Sequence, residues 1–337
     1  MTDPVGVALV GTGMWGRITA EALRRTPALR LVTCFSRDVE KRKTFAHDFS
    51  CSSASSFEAA LEAEGVEGVL LITPNSTHAE HAAACAERGL HVYVEKPIAD
   101  TIEDGLAMQR VCQAAGVTLL VAHCFRRLGA SRRVKQLIDE GALGEVVLAE
   151  ANFSLVGRLT PGKWRFYRQT CPGGPLMQLG VHHADTLQYW LGPVTHVQGS
   201  FAHLVTEAEI DDVGVALLAF ASGAHGVITS SYVSPKTYSL RLLESKAVVT
   251  AASEMSIWPD SVKMDPATTL TLETAQGRSQ IEFEPRDMLV EELEEFARCV
   301  RGESTPETGG PEGLRALRVI RAAIASHETG RTVALEG

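Results

Sequence analysis

The stretch that decides the fold runs from Val5 to Leu23. It reads Val5-Gly6-Val7-Ala8-Leu9-Val10, then Gly11-Thr12-Gly13-Met14-Trp15-Gly16, then Arg17-Ile18-Thr19-Ala20-Glu21-Ala22-Leu23. An apolar run reads as a buried strand, the glycine-rich six as a tight turn and the last segment as a helix, which is the order a dinucleotide-binding unit requires. Each glycine has its own task there: Gly11 allows the tight turn, Gly13 lets backbone approach a pyrophosphate, and Gly16 lets the helix lie close on the strand. The free N–H groups at the helix start then face the phosphates. Glycine turns without ligands are common, so it is the flanking strand and helix that give this one its meaning.

Outward from the turn the same alternation repeats. Strands are expected at 29–35, 68–72, 90–94 and 117–122, and helices at 39–47, 57–64, 76–88 and 102–115, with a Ser-rich connection at 50–56. Strands apolar on both faces and separated by helices imply a parallel sheet covered on both sides. Residues 1–122 therefore read as a doubly wound Rossmann domain with ligands at the carboxyl ends of its strands. The remainder, 123–337, has another texture: helices at 128–140 and 174–191, a strand at 144–154, and short Val/Thr/Ser/Leu-rich runs between 194 and 284 broken at Gly223, Pro235, Pro259 and Gly277. Such runs fit antiparallel strands, and helices over 286–301 and 313–327 close the chain. The fold class is α/β, a Rossmann domain followed by an α/β domain with a large, mainly antiparallel sheet.

Composition narrows the classes. With 337 residues, 45% hydrophobic and 22% charged, the chain is expected to be an ordinary soluble globular protein of about two domains. A net charge of −9 argues against a nucleic-acid surface. No apolar run reaches membrane-span length and no secretory signal is visible, so a cytoplasmic location is expected. Seven cysteines, an odd number without CxxC or Cys/His ligand spacing, read as free thiols, with no metal site.

Two further motifs stand at strand ends, Thr73-Pro74-Asn75-Ser76-Thr77-His78 and Glu95-Lys96-Pro97-Ile98-Ala99. With the glycine turn they resemble the Gfo/Idh/MocA family of NAD(P)-dependent oxidoreductases. The likeness continues through Gly141-Ala142-Leu143-Gly144-Glu145-Val146 and through Gly173-Gly174-Pro175-Leu176-Met177-Gln178-Leu179-Gly180-Val181-His182-His183-Ala184-Asp185, which resembles the family's catalytic helix. The resemblance implies that Lys96 is the active-site lysine beside the nicotinamide and His182 the histidine facing it. Desolvation of such a lysine lowers its pKa toward working pH, and imidazole titrates near neutrality, so both groups suit proton transfer. The resemblance assigns cofactor contacts to Gly11, Thr12, Gly13, Met14, Trp15, Gly16, Ser36, Arg37, Thr73, Pro74, Asn75, His78, Glu95, Lys96 and Arg126. It assigns substrate contacts to Gln178, Asp185 and the Trp164, Arg165 and Tyr167 loop. His183, turned about 100° from His182 on a helix, reads as structural, and Glu80 and His81 as a solvated face.

Two departures matter. Many members carry Asp four residues before the catalytic histidine, whereas this chain has Gln178, which hydrogen-bonds but cannot carry charge or take a proton. NAD sites use an acidic residue after the second strand, and here that place holds Ser36-Arg37, with Asp38 as a helix N-cap. A guanidinium without the carboxylate favours NADP, with NAD as the alternative. The expected activity interconverts a secondary alcohol and a ketone on a sugar, cyclic polyol or dihydrodiol. One rival is an internal redox cycle on tightly bound NAD(P), giving net elimination or hydrolysis of a glycoside, and another is a non-catalytic dinucleotide sensor. Relatives pair through the exposed face of the second sheet, which implies a homodimer or homotetramer.

Overall fold

Strands buried on both faces are stable only in the middle of a layered domain, and the central strands of the first part of the chain, Val5–Val10 and Gly68–Leu71, are of that kind. The computed structural model describes residues 3–335. In chain order it contains β1 (Val5–Val10), α1 (Met14–Leu23), β2 (Leu29–Phe35), α2 (Val39–Phe49), β3 (Ser52–Ser53), α3 (Phe57–Leu61), β4 (Gly68–Leu71), α4 (His78–Ala86), β5 (His91–Glu95), α5 (Ile102–Ala115) and β6 (Leu119–Ala122). All pairings are parallel, in the order β3-β2-β1-β4-β5-β6. Strand order reverses between β1 and β4, which is where such sheets bind ligands. Side-chain caps start the helices where expected: Asp38 Oδ1 accepts from Lys41 N at 3.1 Å, and Thr101 Oγ1 accepts from Asp104 N at 3.1 Å.

There follow α6 (Gly129–Asp139), β7 (Val146–Ser154), α7 (Val181–Leu191), β8 (Val194–Ala202), β9 (Val213–Phe220), β10 (His225–Ser231), β11 (Thr237–Glu244), β12 (Val248–Ser253), α8 (Ser261–Met264), β13 (Thr268–Thr274), β14 (Gly277–Gln280), α9 (Met288–Val300), α10 (Gly310–Thr329) and β15 (Val333–Ala334). Their nine-stranded sheet has the order β14-β13-β12-β11-β7-β10-β9-β8-β15 and is antiparallel except where β10 runs beside β7. Burial alternates along β9, β10 and β11, so one face is packed and the other open. Across the open face Leu217 stands opposite Val227, Val227 opposite Glu150, and Glu150 opposite Arg241. Arg241 Nη1 and Glu150 Oε2 form an ion pair there at 3.2 Å.

The chain separates into two units, and the first is discontinuous. It comprises the chain up to His123 together with Met288–Leu314, while the second comprises Cys124–Asp287 and the chain from Arg315 onward. The returning segment covers the parallel sheet: Tyr93 Oη donates to Glu292 Oε2 at 2.7 Å, and Phe296 meets the Tyr93 ring edge-on at 5.9 Å. Hydrophobic spacing alone assigns 286–301 to the second half, because an amphipathic helix does not record which sheet its apolar stripe covers.

Two expected helices differ in detail. The segment over 174–191 begins as a π turn, Leu176–Gly180, before becoming α7. Residues 76–88 begin as a 3₁₀ turn, Asn75–Thr77, before α4. All seven cysteines are free thiols, Cys51 half-buried and the others buried. No helix among the described residues is long and apolar enough to cross a membrane.

Candidate active site

In the first unit the sequence-predicted residues gather at the carboxyl ends of β1, β2, β4 and β5. Gly11 has φ +110°, and a Cβ there would lie 2.0 Å from the Ile72 carbonyl oxygen. A Cβ on Gly16 would lie 2.0 Å from the Gly11 carbonyl oxygen. Both glycines are therefore required by the turn and by the seating of α1, with or without a ligand. Gly13 is different: a Cβ there would meet nothing within 4 Å. Its exposed, open side is a cradle at the start of α1, and it fits the pyrophosphate of a dinucleotide approaching backbone.

Beside this turn, Thr12 Oγ1 and Ser36 Oγ are 2.7 Å apart, and Arg37 is exposed. Asp38 is engaged as the α2 cap and pairs with Lys41 Nζ at 3.0 Å. Arg42, which the sequence pattern does not single out, is buried here. Its Nη1 donates to the Ser36 carbonyl at 3.0 Å, its Nε donates to Ser53 Oγ at 3.1 Å, and its guanidinium lies over the Phe35 ring at 5.5 Å. No motif marks it, since an arginine on a helix normally reads as solvated.

Thr73 and Pro74 lie half-buried at the end of β4, and Lys96 lies half-buried at the end of β5. Asn75, His78 and Glu95, expected to contact the cofactor, are buried, at 4%, 0% and 8% exposure. Burial holds the His78 pKa down to about 4, so its imidazole is neutral at physiological pH. His81, expected on a solvated face, is half-buried against the Phe57 ring at 4.3 Å, and burial lowers its pKa as well.

The second unit collects the others. His182 is 1% exposed, and its ring packs 4.2 Å from Phe125 and 6.0 Å from Phe153. Gln178 is 4% exposed and sits in the π turn. Hydrogen bonds there run from i to i+5, so a spacing of four no longer assigns Gln178 and His182 to one helical face. His183 is fully buried against Tyr238 at 5.2 Å, with its pKa lowered to about 4 by burial, in keeping with a structural role.

Arg126 and Asp185, expected to serve cofactor and substrate separately, are joined to each other. Nε donates to Oδ2 at 2.8 Å and Nη2 donates to Oδ1, with the guanidinium 4.9 Å from the Tyr189 ring. In the loop, Arg165 stacks on Trp164 at 4.5 Å and Tyr167 Oη accepts from Gly162 N at 3.0 Å.

A parallel sheet of this order with an open glycine at its reversal defines a dinucleotide-binding domain of the kind that oxidoreductases use. Residues 5–123 match the family model described as oxidoreductase family, NAD-binding Rossmann fold, and residues 131–258 match the GFO/IDH/MocA C-terminal domain. The chain belongs to the Gfo/Idh/MocA family of oxidoreductases. It is 31% identical to a D-xylose 1-dehydrogenase (NADP(+)) of Haloferax volcanii, over 89% of this chain and 90% of that one. A 1,5-anhydro-D-fructose reductase of Ensifer adhaerens is 27% identical, over 96% of this chain and 98% of its own. A crystal structure from Desulfitobacterium hafniense, provisionally described as an NADPH-dependent oxidoreductase, superposes with a TM-score of 0.95 at 37% identity, covering 99% of this chain and 98% of that one.

The glycines separate fold from ligand in a way that can be measured. Gly13→Ala is expected to leave the melting temperature within about 1 °C while weakening NAD(P)H binding at least tenfold, because the new methyl enters only open space. Gly11→Ala is expected to destabilise the protein by on the order of 2–4 kcal/mol through a strained φ and a backbone clash. Calorimetry and cofactor titration on both variants check this, and an unchanged affinity in Gly13→Ala would remove Gly13 from the binding surface.

Proposed function

We propose that this chain is an NADP-linked oxidoreductase interconverting a secondary alcohol and a ketone on a sugar, cyclic polyol or dihydrodiol. The observation that carries the reading is Lys96 at the carboxyl end of β5, on the same sheet edge as the open glycine turn that follows β1, in a family oxidoreductase; the sugar dehydrogenase and reductase relatives supply the substrate class. Gly11–Gly16 would hold the pyrophosphate, Ser36 and Arg37 the adenosine ribose, and Thr73, Pro74 and Lys96 the nicotinamide end. Bound NADP supplies the hydride acceptor for oxidation, and its reduced form the donor for the reverse. Lys96 hydrogen-bonds the reacting oxygen and takes or returns its proton, and His182 shares that proton transfer. Gln178 and the Trp164–Arg165 loop orient the substrate. Asn75, His78 and Glu95 act from behind the cofactor surface.

NADP over NAD rests on position 36, where a hydroxyl replaces the carboxylate that would repel a 2′-phosphate, and on the exposed guanidinium beside it. We further propose a cytoplasmic homodimer or homotetramer. The seven free thiols suit a reducing compartment. The half-exposed centre of the open sheet face, where Leu217 is 51% exposed, suits a second copy.

Lys96→Ala is expected to lower kcat by about a hundredfold or more while keeping NADPH affinity within about threefold, because the ammonium acts on the reacting oxygen and not on the pyrophosphate. Turnover of sugar and diol substrates followed by NADPH absorbance, beside calorimetric titration, decides it; near-wild-type turnover removes Lys96 from the mechanism. Arg37→Ala is expected to weaken NADPH by about tenfold or more and NADH little, since a charge-assisted phosphate contact is worth about 1.5–3 kcal/mol. Equal losses for both cofactors would overturn the NADP assignment. Leu217→Arg is expected to shift the mass measured by light scattering toward the monomer, and an unchanged oligomer would move the interface elsewhere.

A further inference from the structure

His78 is the first residue of α4, and none of its surface reaches solvent. Its ring lies between two strand-end loops. Nε2 is 3.0 Å from the carbonyl oxygen of Thr73, at the end of β4, while Nδ1 is 3.2 Å from the carbonyl oxygens of both Pro97 and Ile98. Those two carbonyls belong to the residues that immediately follow Lys96. From the same 3₁₀ turn Asn75, 4% exposed, donates from Nδ2 to Asp100 Oδ1 at 3.0 Å. On the other side of Lys96, its own backbone N–H donates to Glu95 Oε2 at 3.2 Å. The backbone on either side of Lys96 is thus tied by buried polar side chains, and most of those ties come from one turn.

This arrangement differs from ordinary helix capping. The α4 N-cap is Thr77, which makes no side-chain cap bond, and His78 supplies none either. His78 instead spends its ring on carbonyls of the neighbouring loop, at the position where a long, flexible side chain leaves the backbone. A lysine has four rotatable carbons beyond its Cα, so the place of its ammonium depends first on how firmly that Cα is held. A misplacement of about 1 Å can cost on the order of a hundredfold in rate.

We propose that His78, supported by Asn75, is the positioning residue of Lys96: it holds the Lys96–Asp100 backbone against the end of β4 so that the ammonium meets the reacting oxygen. The proposal rests on Lys96 being the proton-handling group. His78, with no surface open to solvent, acts in this proposal through the lysine. The neutral imidazole has a single N–H, which the proposal puts on Nδ1, donating to the Pro97 and Ile98 carbonyls, so a side chain with one amide donor should recover part of the function and an apolar one should not.

The test is a double-mutant cycle on the full-length protein with NADPH and a sugar substrate that it turns over. His78→Leu is expected to lower kcat by about thirtyfold, with KM and the NADPH dissociation constant within about threefold. His78→Gln is expected to recover at least a third of that loss on a logarithmic scale. In the Lys96→Ala background, His78→Leu should leave the residual rate unchanged, because removing the positioned group removes the benefit of positioning it. Additive losses in the cycle, or a His78→Leu enzyme with full kcat, would overturn the proposal while leaving the Lys96 reading in place. Wild-type turnover in Lys96→Ala would overturn both. Should His78→Leu fail to fold, Asp100→Ala carries the same cycle, since it removes the half-exposed acceptor that Asn75 grips and is expected to lower kcat several-fold with little change in melting temperature. No effect of Asp100→Ala on kcat would then count against the clasp.

Discussion

The helix that starts at Met14 can lie against β1 only because two backbones touch, at Gly16 on the helix and at the Gly11 carbonyl on the turn. A single added carbon on Gly16 would sit 2.0 Å from that oxygen, far inside contact distance. Gly11 is in turn pressed against the Ile72 carbonyl, so the same contact brings the end of β4 to the glycine turn. Everything useful in the first unit follows from it. Parallel strands put all their carboxyl ends on one edge, and the backbone contact fixes which loops are neighbours there. The Thr73–His78 turn and the Glu95–Asp100 loop then meet side by side, close enough for one imidazole to reach both.

Much of this was legible from the chain itself. Periodicity located β2 and α5 to the residue, and the apolar runs at 68–72 and 90–94 gave β4 and β5, because strands buried on both faces have no polar positions to confuse the pattern. The glycines that the turn itself requires, Gly11 and Gly16, were legible because that geometry admits no side chain. What spacing does not record is burial. Asn75, His78 and Glu95 are all buried, and no spacing rule within a short turn says which way a side chain faces. The π turn at Leu176–Gly180 is a similar case, since Leu-Met-Gln-Leu-Gly carries nothing that distinguishes it from an α-helical turn, and tertiary packing decides. Arg42 escaped notice because its partners, Ser36 and Ser53, lie on either side of a helix that the sequence reads as surface.

The pairing of Arg126 with Asp185 shows how a motif can be right about proximity and silent about purpose. Both residues lie near the groups expected to matter: Phe125, next to Arg126, packs on His182, and Asp185 is three residues beyond it on α7. Buried at 6% and 2% exposure, each charge needs the other, and losing one partner of such a pair typically costs about 3–5 kcal/mol. The pair joins the segment Cys124–Arg127 to α7, the helix that carries His182. The family's Asp, absent at Gln178, is not replaced by Asp185, whose oxygens are held by the guanidinium.

The return of Met288–Leu314 to the first unit bears on how the chain can be made. A ribosome finishes β6 long before it reaches Phe296, so the parallel sheet emerges with Tyr93 lacking both its carboxylate acceptor and its edge-on ring partner. Late arrival of that cover leaves apolar surface exposed throughout synthesis of the nine-stranded sheet, a window in which chaperones hold nascent chains. A fragment ending at residue 123 carries the glycine turn and both strand-end motifs but lacks the Met288–Leu314 segment of its own unit.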